Sequence, residues 1–489
     1  MQDKDVIVES LLKRIEELQR QLLAALEREG QKDKFILEQA EEISKLAEDN
    51  LKLQERIARL EKNSSTSSKP PSSDITNPPD KPVAKKKKRK RGGQKGHKKN
   101  TRTKFTQEEI DETIVHKLSP EDVVRRNLIE LPQTESALQQ ISLPDKLFCV
   151  TDHHVQLYMD KNDNEVKATL PPEVRDCGLF APDMMALTAY FKGKCHGSYS
   201  TVEDIFVEVF GLEVSAGFLT KVCVEKVSKS MAGGYDEVAE HIKNAPVVGS
   251  DETGHKNPAF KSAWTWCWQT PAAALFYNTG SRGSDVLKKI LGEDFAGVIV
   301  CDYFSANRKF IEDLGLLAQF CFAHLIRDIK FLTTLPYKSL VDWAEKLLAI
   351  LEKIFRKWKQ RHCGDFERYK KITAKLKKEF LQKVRRPPNY IDAKNIKNRF
   401  EMLGADRYFL FLERDDVPPT NNGTEQTIRF VVIDRKVTQG TRSDAGIRFC
   451  ERIWTVIATC KKQGKSVFEF LKAAVTATFT GTPYPQLIS

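Results

Sequence analysis

The spacing of apolar residues changes from a helical repeat to a strand repeat near residue 245, and this change constrains the fold more than any other feature. Three strand-like runs follow one another in APVVGSDETG, SAWTWCWQT and AAALFYNT. The second run alternates Trp264, Trp266 and Trp268, which predicts three tryptophans on one face of a strand. A helical stretch, an apolar strand in AGVIVCDYF, and a further strand and helix in AQFCFAHLIRDIK complete the segment. This order predicts an α/β domain built on a meander of three strands.

Two acidic residues end strands of this segment, Asp251 the first strand and Asp302 the fourth. Three strands, a helix, a strand, a helix and a strand form the ribonuclease H-like topology, in which the first and fourth strands are neighbours. We therefore expect the two carboxylates to lie close together. Adjacent carboxylates repel each other unless a cation holds them, and their hard oxygen atoms suit Mg²⁺ or Mn²⁺.

A two-metal site for phosphodiester cleavage needs a third acid, and Glu425 is the candidate. The run NNGTEQTIRFVVIDRK predicts a helix that is capped by Asn421 or Asn422 and carries Glu425 in its first turn. Arg429, one turn later, is placed to pair with Glu425 or to contact a phosphate. Two ions about 4 Å apart activate an attacking water or 3′-hydroxyl and stabilise the leaving oxygen.

Other acids compete for these three positions, because a strand-end Asp is often a turn residue and a Glu at a helix start often only complements the helix dipole. Strand alternation puts Asp251 and Glu252 on opposite faces, so we expect only one of that pair to face the site. The remaining competitors are Asp285, Glu293, Glu413, Asp415 and Asp416.

Residues 1–62 fit one heptad frame with Ile, Leu or Val at most a and d positions. The middle of the frame is weak, with Glu29, Lys32 and Gln39 at these positions, and Asn50 is a polar residue at position a. Ile at a, Leu at d and a single Asn favour a parallel two-stranded coil, and hence a leucine-zipper-like homodimer. The alternative is a helical hairpin that packs on its own chain.

Positive charge is concentrated in one short segment. The formal net charge is +12, but thirteen Lys or Arg and no acid lie between Lys81 and Lys104, so the rest of the chain carries about −1. Residues 63–104 are therefore interpreted as a Ser- and Pro-rich linker that ends in a basic arm for DNA, with a solvated tail or a localisation signal as the alternatives. The arm residues assigned to DNA contact are Lys85, Lys86, Lys87, Lys88, Arg89, Lys90, Arg91 and Lys95.

Residues 105–175 give a weaker pattern. Short alternating runs such as LFCVTDHHVQLYM predict small strands. Cys149, His153 and His154 suggest a zinc site, but no second pair of cysteines stands at ligand spacing. We therefore expect a small, degenerate zinc-finger-like domain without zinc.

Residues 176–244 are predicted to be helical. Pro182 suits a first helical turn, and two later helices are joined at Gly211, with Ser215 as a possible N-cap. A helix, a short turn and a helix outline a helix-turn-helix for DNA, although ordinary helical domains share this outline. Further on, residues 331–414 are helical and basic, which predicts a helical insertion between the two parts of the catalytic core, 245–330 and 415–475.

Composition limits the class of protein. The chain has 489 residues and 40% apolar content, enough for several structural units. Its start carries acids and no apolar signal region, and no stretch approaches a membrane span, so we expect a cytoplasmic protein without a membrane partner. Ten cysteines without a repeated close spacing predict reduced thiols and no disulfide framework.

Six motifs stand in the order found in one family of mobile-element enzymes. They are NSSTSSKPPSSD, RGGQKGH, SDETG, CDYFSAN, CFAHLIRDIK and NNGTEQTIRFVVIDRK. On these motifs the sequence resembles the insertion-sequence-66 family of bacterial transposases, of the DDE superfamily, over nearly the whole chain. The resemblance implies a multidomain protein with an N-terminal α-helical coiled coil, a helical DNA-binding region and an α/β ribonuclease H-like catalytic domain with a helical insertion.

The resemblance also assigns the site. It makes Asp251, Asp302 and Glu425 the catalytic acids that hold two Mg²⁺ or Mn²⁺ ions, for cleavage and strand transfer at the ends of an insertion sequence. His324 and Arg327 match family positions and are expected to contact DNA or orient a phosphate, with a structural role under the sheet as the alternative. The further residues assigned to DNA in the last motif are Arg429, Arg435 and Lys436.

The sequence departs from the family at two places. The paired cysteines common in the family are missing from 105–175, and Thr424 and Gln426 flank Glu425 where Ala and Arg are usual. The expected partners are DNA, both element ends and target, and a second copy of the chain, in a nucleoid-associated protein; accessory proteins encoded by the element stay open. The alternative functions are a nuclease or resolvase on the same fold and a dimeric DNA-binding protein with an inactive site.

Overall fold

The computed structural model describes residues 2–26, 32–63, 65–66, 104–129, 131, 138–144, 146–159, 161, 163, 165–260, 262–362, 365–402, 404 and 406–489. The arm residues assigned to DNA, from Lys85 to Lys95, lie outside these ranges. Contacts divide the chain into two compact units, one of Met1–Asp80 with Val155–Ser489 and one of Lys81–His154.

Two N-terminal helices, α1 (Gln2–Leu26) and α2 (Lys32–Leu60), pack against each other within the chain. The predicted heptad positions line their seam, since Leu18 and Asn50 are buried and Ile43 is half-buried between exposed neighbours. One chain therefore uses the seam for its own pair of helices, which is the helical-hairpin alternative. Self-association through the same helices remains a prediction.

In its described part, the unit of Lys81–His154 contains a 3₁₀ turn (Gln107–Glu109) and one short α-helix, α3 (Pro120–Arg125). The Ser119 side chain caps α3 by accepting a hydrogen bond of 3.2 Å from the Asp122 amide. The second stretch of the larger unit, which starts at Val155, begins with an antiparallel pair of strands, β1 (Leu157–Met159) and β2 (Glu165–Lys167). Strand β1 lies inside the run LFCVTDHHVQLYM, where a small strand was predicted.

A helical region follows, as its sequence predicts. Its helices are α4 (Pro172–Cys177), α5 (Pro182–Ala189), α6 (Tyr199–Asp204), α7 (Ala216–Lys221), α8 (Ser228–Ser230) and α9 (Ala232–Lys243). Pro182 begins α5, and the Ser215 side chain caps α7 by accepting from the Phe218 amide at 3.2 Å. Gly211, between α6 and α7, has φ +65°, a left-handed conformation that favours glycine. The predicted place of Pro182 in a first helical turn and the predicted N-cap Ser215 are confirmed.

A five-stranded sheet forms the centre of the larger unit. Its strands are β3 (Val247–His255), β4 (Ala263–Gln269), β5 (Ala274–Thr279), β6 (Val298–Cys301) and β7 (Ala318–Phe320). The helices between and after them are α10 (Ser284–Leu291), α11 (Ser305–Asp313) and α12 (Phe322–Leu332). The spatial order is β5–β4–β3–β6–β7, antiparallel through the first three strands and parallel from β3 to β7. The predicted meander, and the predicted contact of the first and fourth strands, are confirmed.

The remaining helices complete the unit. They are α13 (Lys338–Lys359), α14 (Phe366–Val384), α15 (Ile391–Met402), α16 (Asp406–Phe409), α17 (Asn422–Thr438), α18 (Asp444–Gln463) and α19 (Val467–Thr480). Three α18 side chains spaced four residues apart accept hydrogen bonds of 2.7, 3.1 and 3.2 Å from alternate amides of the edge strand β5. The pairs are Glu451 with Asn278, Thr455 with Phe276, and Thr459 with Ala274. Helix α18 thus occupies a strand edge that would otherwise be open to pairing with another strand.

The helices predicted for residues 331–414 are present, and α2 contacts them directly. The Tyr337 hydroxyl donates to Glu55 at 2.7 Å, and Arg59 lies 2.7 Å from Asp392. These contacts anchor the C-terminal part of α2 to the insertion. None of the helices in the described ranges combines the length and apolar character that a membrane crossing needs.

Candidate active site

Asp251 and Asp302 lie where the parallel pairing of β3 with β6 stops. The register pairs Gly249 with Val300, so each acid follows two residues after the last parallel pair. Asp302 comes directly after β6, as predicted. Asp251 is not the last residue of its strand, because the antiparallel pairing of β3 with β4 continues to His255.

Hydrogen bonds orient both carboxylates. The Phe304 amide and the Asn307 side-chain amide donate to Asp302 Oδ1 at 3.1 and 3.2 Å. The Glu252 amide donates to Asp251 Oδ1 at 2.9 Å. Asn307 is fully buried in the first turn of α11, so the loop that carries Asp302 is held from the helix that follows it.

The third acid, Glu425, reaches the same region because the start of α17 is tied to β3. Asn421 occupies the predicted N-cap position, but its side chain does not cap the helix. Its Nδ2 donates to the Ser250 carbonyl at 2.8 Å, and its Oδ1 accepts from the Thr424 hydroxyl at 2.6 Å. A Cβ at Gly249 would collide with Thr424, so the close approach of α17 to β3 depends on glycine at that position.

The charges that act on Asp251 indicate that the other acids lie near it. Burial is the first cause that raises the pKa of Asp251 well above its usual range, and the charges of Glu252, Asp302 and Glu425 raise it further. Asp302 and Glu425 come from separate parts of the sequence, yet the charge of each acts on Asp251. The structure therefore brings the three predicted acids together.

Glu425 has the opposite environment. The contact with His324, whose Nε2 lies 3.2 Å from Glu425 Oε1, is the largest influence that lowers the pKa of Glu425, against the effect of burial. The charges of Arg327 and Arg429 lower the pKa of this carboxyl further. His324, Arg327 and Arg429 thus surround Glu425 with positive or hydrogen-bonding groups and favour its ionised form.

Glu252 is a fourth acid of the site, which the alternation argument set aside. Its side chain is only 2% exposed and lies 2.6 Å from Arg282, whose guanidinium stacks between the rings of Trp264 and Phe304. Burial, followed by the charge of Asp302, raises the pKa of Glu252 to about 7 in spite of Arg282. The adjacent acids in SDETG were the sequence signal that could have identified Glu252. Side chains on opposite faces of one strand can both lie near the end of a neighbouring strand, so alternation alone does not exclude either acid from the site.

The donor set at this site fits a divalent cation. Glu252 Oε2 and Glu425 Oε1 are buried and make no well-aligned hydrogen bond within the described part of the chain. Buried carboxylate oxygens of this kind, together with the mutual repulsion around Asp251, are stabilised by a bound cation with hard oxygen ligands. A cavity of about 260 Å³ beside the acids has Asp302, Cys321 and His324 among its lining residues.

Cys321 was not singled out by the sequence analysis. Its Sγ, a ring nitrogen of His324 and a carboxylate oxygen of Glu425 all lie within 4.8 Å of one another. The Asn421 amide donates to Cys321 Sγ at 3.3 Å, so the sulfur also joins the starts of α12 and α17. The spacing of Cys321 and His324 in CFAH, one turn of helix apart, was the signal that could have identified this pair.

The competing acids at the start of α17 are engaged elsewhere. Glu413 lies 3.0 Å from Lys377, and Asp415 lies 3.1 Å from Arg361. Asp416 pairs with Arg414. None of these three acids is among the charges that raise the pKa of Asp251.

The residues that the sequence analysis assigned to DNA contact differ in their surroundings and exposure. Arg435 donates to the Thr253 hydroxyl at 3.1 Å, beside the strand that carries Asp251, while Lys436 is exposed on α17. His324 faces Glu425, and the charge of Arg327 acts on the same acid.

Comparison with known proteins bears on the same region. The model of the family described as Transposase IS66 family matches residues 177–448, more than half of the chain and all three acids. The chain belongs to the IS66 family of transposases. A second model, described as a family of unknown function (DUF6444), matches residues 5–103, and no match was found among curated proteins. Membership in the IS66 family indicates an enzyme of DNA transposition with DNA as its partner.

Proposed function

We propose that this IS66-family chain is a DDE-type transposase, which binds the ends of an insertion sequence and catalyses metal-dependent strand cleavage and strand transfer. Asp251, Asp302 and Glu425 are its catalytic acids. The observation that carries this proposal is their convergence. Asp251 and Asp302 each follow the last parallel pair of β3 and β6 by two residues, and the bond of 2.8 Å from Asn421 to the Ser250 carbonyl ties the start of α17, which carries Glu425, to β3 beside Asp251. The strand order β5–β4–β3–β6–β7 supports a ribonuclease H-like fold for the catalytic core.

The acids have the oxygen donors that two Mg²⁺ or Mn²⁺ ions require, and Asp251, Asp302 and Glu425 would hold them. Such ions, when bound, supply activation of an attacking water or 3′-hydroxyl and stabilisation of the leaving oxygen. The chain itself orients the carboxylates. Asn307 and the Phe304 amide fix Asp302, and Asn421 holds α17 against β3.

We assign DNA contact near the acids to Arg327, Arg429, Arg435 and Lys436, and contact along the phosphate backbone to the basic arm. Arg429 and Lys436 are exposed on α17, the helix that carries Glu425, so they can reach a phosphate that approaches the acids. A DNA-bound protein of this kind is expected to associate with the nucleoid. Dimerisation through the N-terminal helices belongs to the same proposal and is supported by the heptad frame.

The test is replacement of each acid by its amide, in Asp251→Asn, Asp302→Asn and Glu425→Gln. Because the three residues act through shared ions, each variant should lose cleavage almost completely, and double variants should be no worse than single ones. Cleavage and strand transfer are measured on a duplex that carries an element end, with Mg²⁺ or Mn²⁺. DNA binding by the same variants, measured in titrations, should stay within a few-fold of the unchanged protein.

The matched control is Asp415→Asn, an exposed acid paired with Arg361, which should keep normal cleavage. Full Mg²⁺-dependent cleavage by the Glu425→Gln protein would remove Glu425 from the site. Cleavage without any strand-transfer product would favour a nuclease or resolvase. Binding without metal-dependent cleavage in the unchanged protein would favour a DNA-binding protein with an inactive site.

A further inference from the structure

Glu425 belongs to a second group of donors besides the acids. Cys321 Sγ, a ring nitrogen of His324 and an oxygen of Glu425 lie within 4.8 Å of one another, and His324 Nε2 and Glu425 Oε1 are only 3.2 Å apart. Asp251 and Asp302 are not part of this group. The cluster therefore combines sulfur, nitrogen and oxygen, whereas the group proposed for catalysis offers carboxylate oxygen alone.

The donor types decide which ion each group prefers. Carboxylates suit Mg²⁺ and Mn²⁺, while thiolate and imidazole ligands favour later first-row metals, with zinc bound by Cys, His and carboxylate at about 2.0–2.3 Å. Two such bonds at a tetrahedral angle leave their donor atoms about 3.3–3.6 Å apart. The separation of 3.2 Å between His324 and Glu425 is close to this value, and the sulfur lies within a small side-chain movement of it.

A buried carboxylate oxygen without an aligned hydrogen bond supports a ligand at this point. Glu425 Oε1 is buried, and its contact of 3.2 Å with His324 Nε2 is not an aligned hydrogen bond in the described ranges. Cys321 is 1% exposed, but both Cys321 and His324 line the cavity of about 260 Å³ that Asp302 also borders. This cavity gives an ion a path to the cluster.

We propose that Cys321, His324 and Glu425 bind one Zn²⁺ ion or a similar late first-row metal ion. The fourth coordination position is left open. Binding releases the thiol proton of Cys321 to solvent and forms a sulfur–metal bond, while the neutral imidazole of His324 binds through Nε2 with its ring proton on Nδ1. The site is distinct from the region of residues 105–175, where zinc was considered and not expected.

The site has a consequence that rests on the proposed function. Because Glu425 is shared with the catalytic acids, an ion held by sulfur and imidazole withdraws Glu425 from the Mg²⁺ site. Zinc should therefore inhibit Mg²⁺-dependent cleavage. Inhibition should require Cys321 and His324 as well as Glu425.

The first experiment measures metal binding by the full-length protein without DNA. Co²⁺ is the probe, since a thiolate ligand gives a near-ultraviolet charge-transfer band and a tetrahedral site gives strong visible bands. We expect one Co²⁺ per chain with both features, displaced by Zn²⁺. Cys321→Ser should lose the charge-transfer band, and His324→Ala should weaken Co²⁺ binding at least about tenfold.

Two further variants keep the result interpretable. Cys195→Ser removes an exposed thiol outside the cluster and should leave the spectrum unchanged. His324→Gln keeps a hydrogen-bond donor for Glu425 but removes the imidazole, so it should weaken Co²⁺ binding as His324→Ala does. An unchanged charge-transfer band in Cys321→Ser, or unchanged affinity in both folded His324 variants, would overturn the site.

The second experiment adds Zn²⁺ to Mg²⁺-dependent cleavage and compares each protein with its own zinc-free rate. The unchanged protein should be inhibited, and Cys321→Ser should need at least about tenfold more Zn²⁺ for the same inhibition. Equal sensitivity of the two proteins would refute the competition. Co²⁺ binding in a protein that never cleaves DNA would instead leave the metal site standing and overturn the proposed transposase activity.

Discussion

Asp251 and Glu425 differ in how their surroundings act on the negative charge. Asp251 is surrounded by other carboxylates, so burial and repulsion raise its pKa. Glu425 is surrounded by His324, Arg327 and Arg429, so its pKa is lowered. A neighbouring cation should therefore stabilise the ionised form of Asp251 most, whereas the surroundings of Glu425 favour its ionised form without a bound metal.

A carboxyl group away from the site gives a pH-dependent prediction. Glu451, buried in α18 against β5, has its pKa raised to about 7 by burial. Between its ordinary pKa near 4.5 and about 7, the folded state keeps a proton that the unfolded state has lost. The free energy of unfolding should therefore fall as pH rises through this window, by up to about 3 kcal/mol from this group.

Glu451→Gln isolates the effect, because the amide can still accept from the Asn278 amide but does not titrate. The unfolding free energies of the two proteins, from denaturant titrations between pH 4.5 and 8, should diverge in favour of the variant as pH rises. A difference that is the same at every pH would contradict a raised pKa at Glu451. The comparison with Gln cancels the contributions of other titrating groups.

At the scale of residues, the sequence predicted the positions of the three acids on their strands and helix better than it predicted the contacts that hold them in place. Asp251, Asp302 and Glu425 were proposed from strand and helix positions, which are local properties, together with the family resemblance. Asn421 was placed at the start of α17 correctly, but its bond to Ser250 depends on two segments that only the fold brings together. Glu252 was set aside because a rule about strand faces does not describe the end of a neighbouring strand.

At the scale of elements, α18 and α17 contact different strands of the sheet. Helix α18 supplies acceptors to the edge strand β5, while α17 is tied to the central strand β3. The close contact at Gly249 means that a side chain there would push α17, and Glu425 with it, away from β3. The position of the third acid is thus decided by one glycine in the strand that carries the first.

The N-terminal helices give a prediction about self-association. If their heptad seam also joins two copies, the full chain should sediment as a dimer at tens of micromolar and a protein lacking residues 1–62 as a monomer. Asn50→Leu should raise stability, since Asn50 Nδ2 is buried without a partner in the described chain, and should loosen the choice of oligomer.

Tyr337→Phe is the control for this deletion. It removes the hydrogen bond to Glu55 that anchors α2 to the insertion but leaves the heptad seam intact, so the oligomeric state should not change. Full-length and shortened proteins that both sediment as monomers would show that the helices serve their own chain only. Sedimentation equilibrium separates these outcomes.

The fold was predictable where periodicity was strong and contacts were between successive elements. The order of strands followed from alternating hydrophobic runs, and the adjacency of β3 and β6 from their order. The heptad pattern of residues 1–62 could not distinguish a helix pair within one chain from a pair between chains, because both bury the same seam. The π-helical segments at Tyr190–Lys194, Ile205–Val209 and Val222–Val227 had no signal in the sequence.

At the scale of the whole molecule, positive charge lies in two separate parts of the chain. The arm from Lys81 to Lys104 carries +13, and residues 331–414, with 21 Lys or Arg and 10 Asp or Glu, carry +11. Since the whole chain carries +12, all other residues together carry about −12. Attraction to DNA should therefore come from the arm and the insertion. The net negative charge of the remaining residues should repel DNA phosphates.

Deletion of residues 81–104 tests the role of the arm. Each phosphate neutralised on duplex DNA changes the slope of log K against log salt by about −0.9, so an arm that engages half of its charges contributes about −6. The deletion should flatten the slope by this amount. Because contacts to the backbone carry no sequence information, the affinities for element ends and for unrelated DNA should fall together.

A protein of full length with Gln in place of the thirteen Lys or Arg is the matched control, and it should behave like the deletion. Binding titrations on both duplexes at several salt concentrations give the slopes. An unchanged slope would show a solvated linker. A selective loss on element ends would show that the arm reads sequence.

The insertion of residues 331–414 separates Asp302 from Glu425 along the chain but not in space. During synthesis on a ribosome, the first two acids emerge and can fold with the sheet while the insertion and α17 are still to come. A growing or prematurely ended chain thus contains the basic segment Lys81 to Lys104 before Glu425 exists. If Glu425 is one of the catalytic acids, as proposed, a chain that ends before α17 should therefore be unable to cleave DNA.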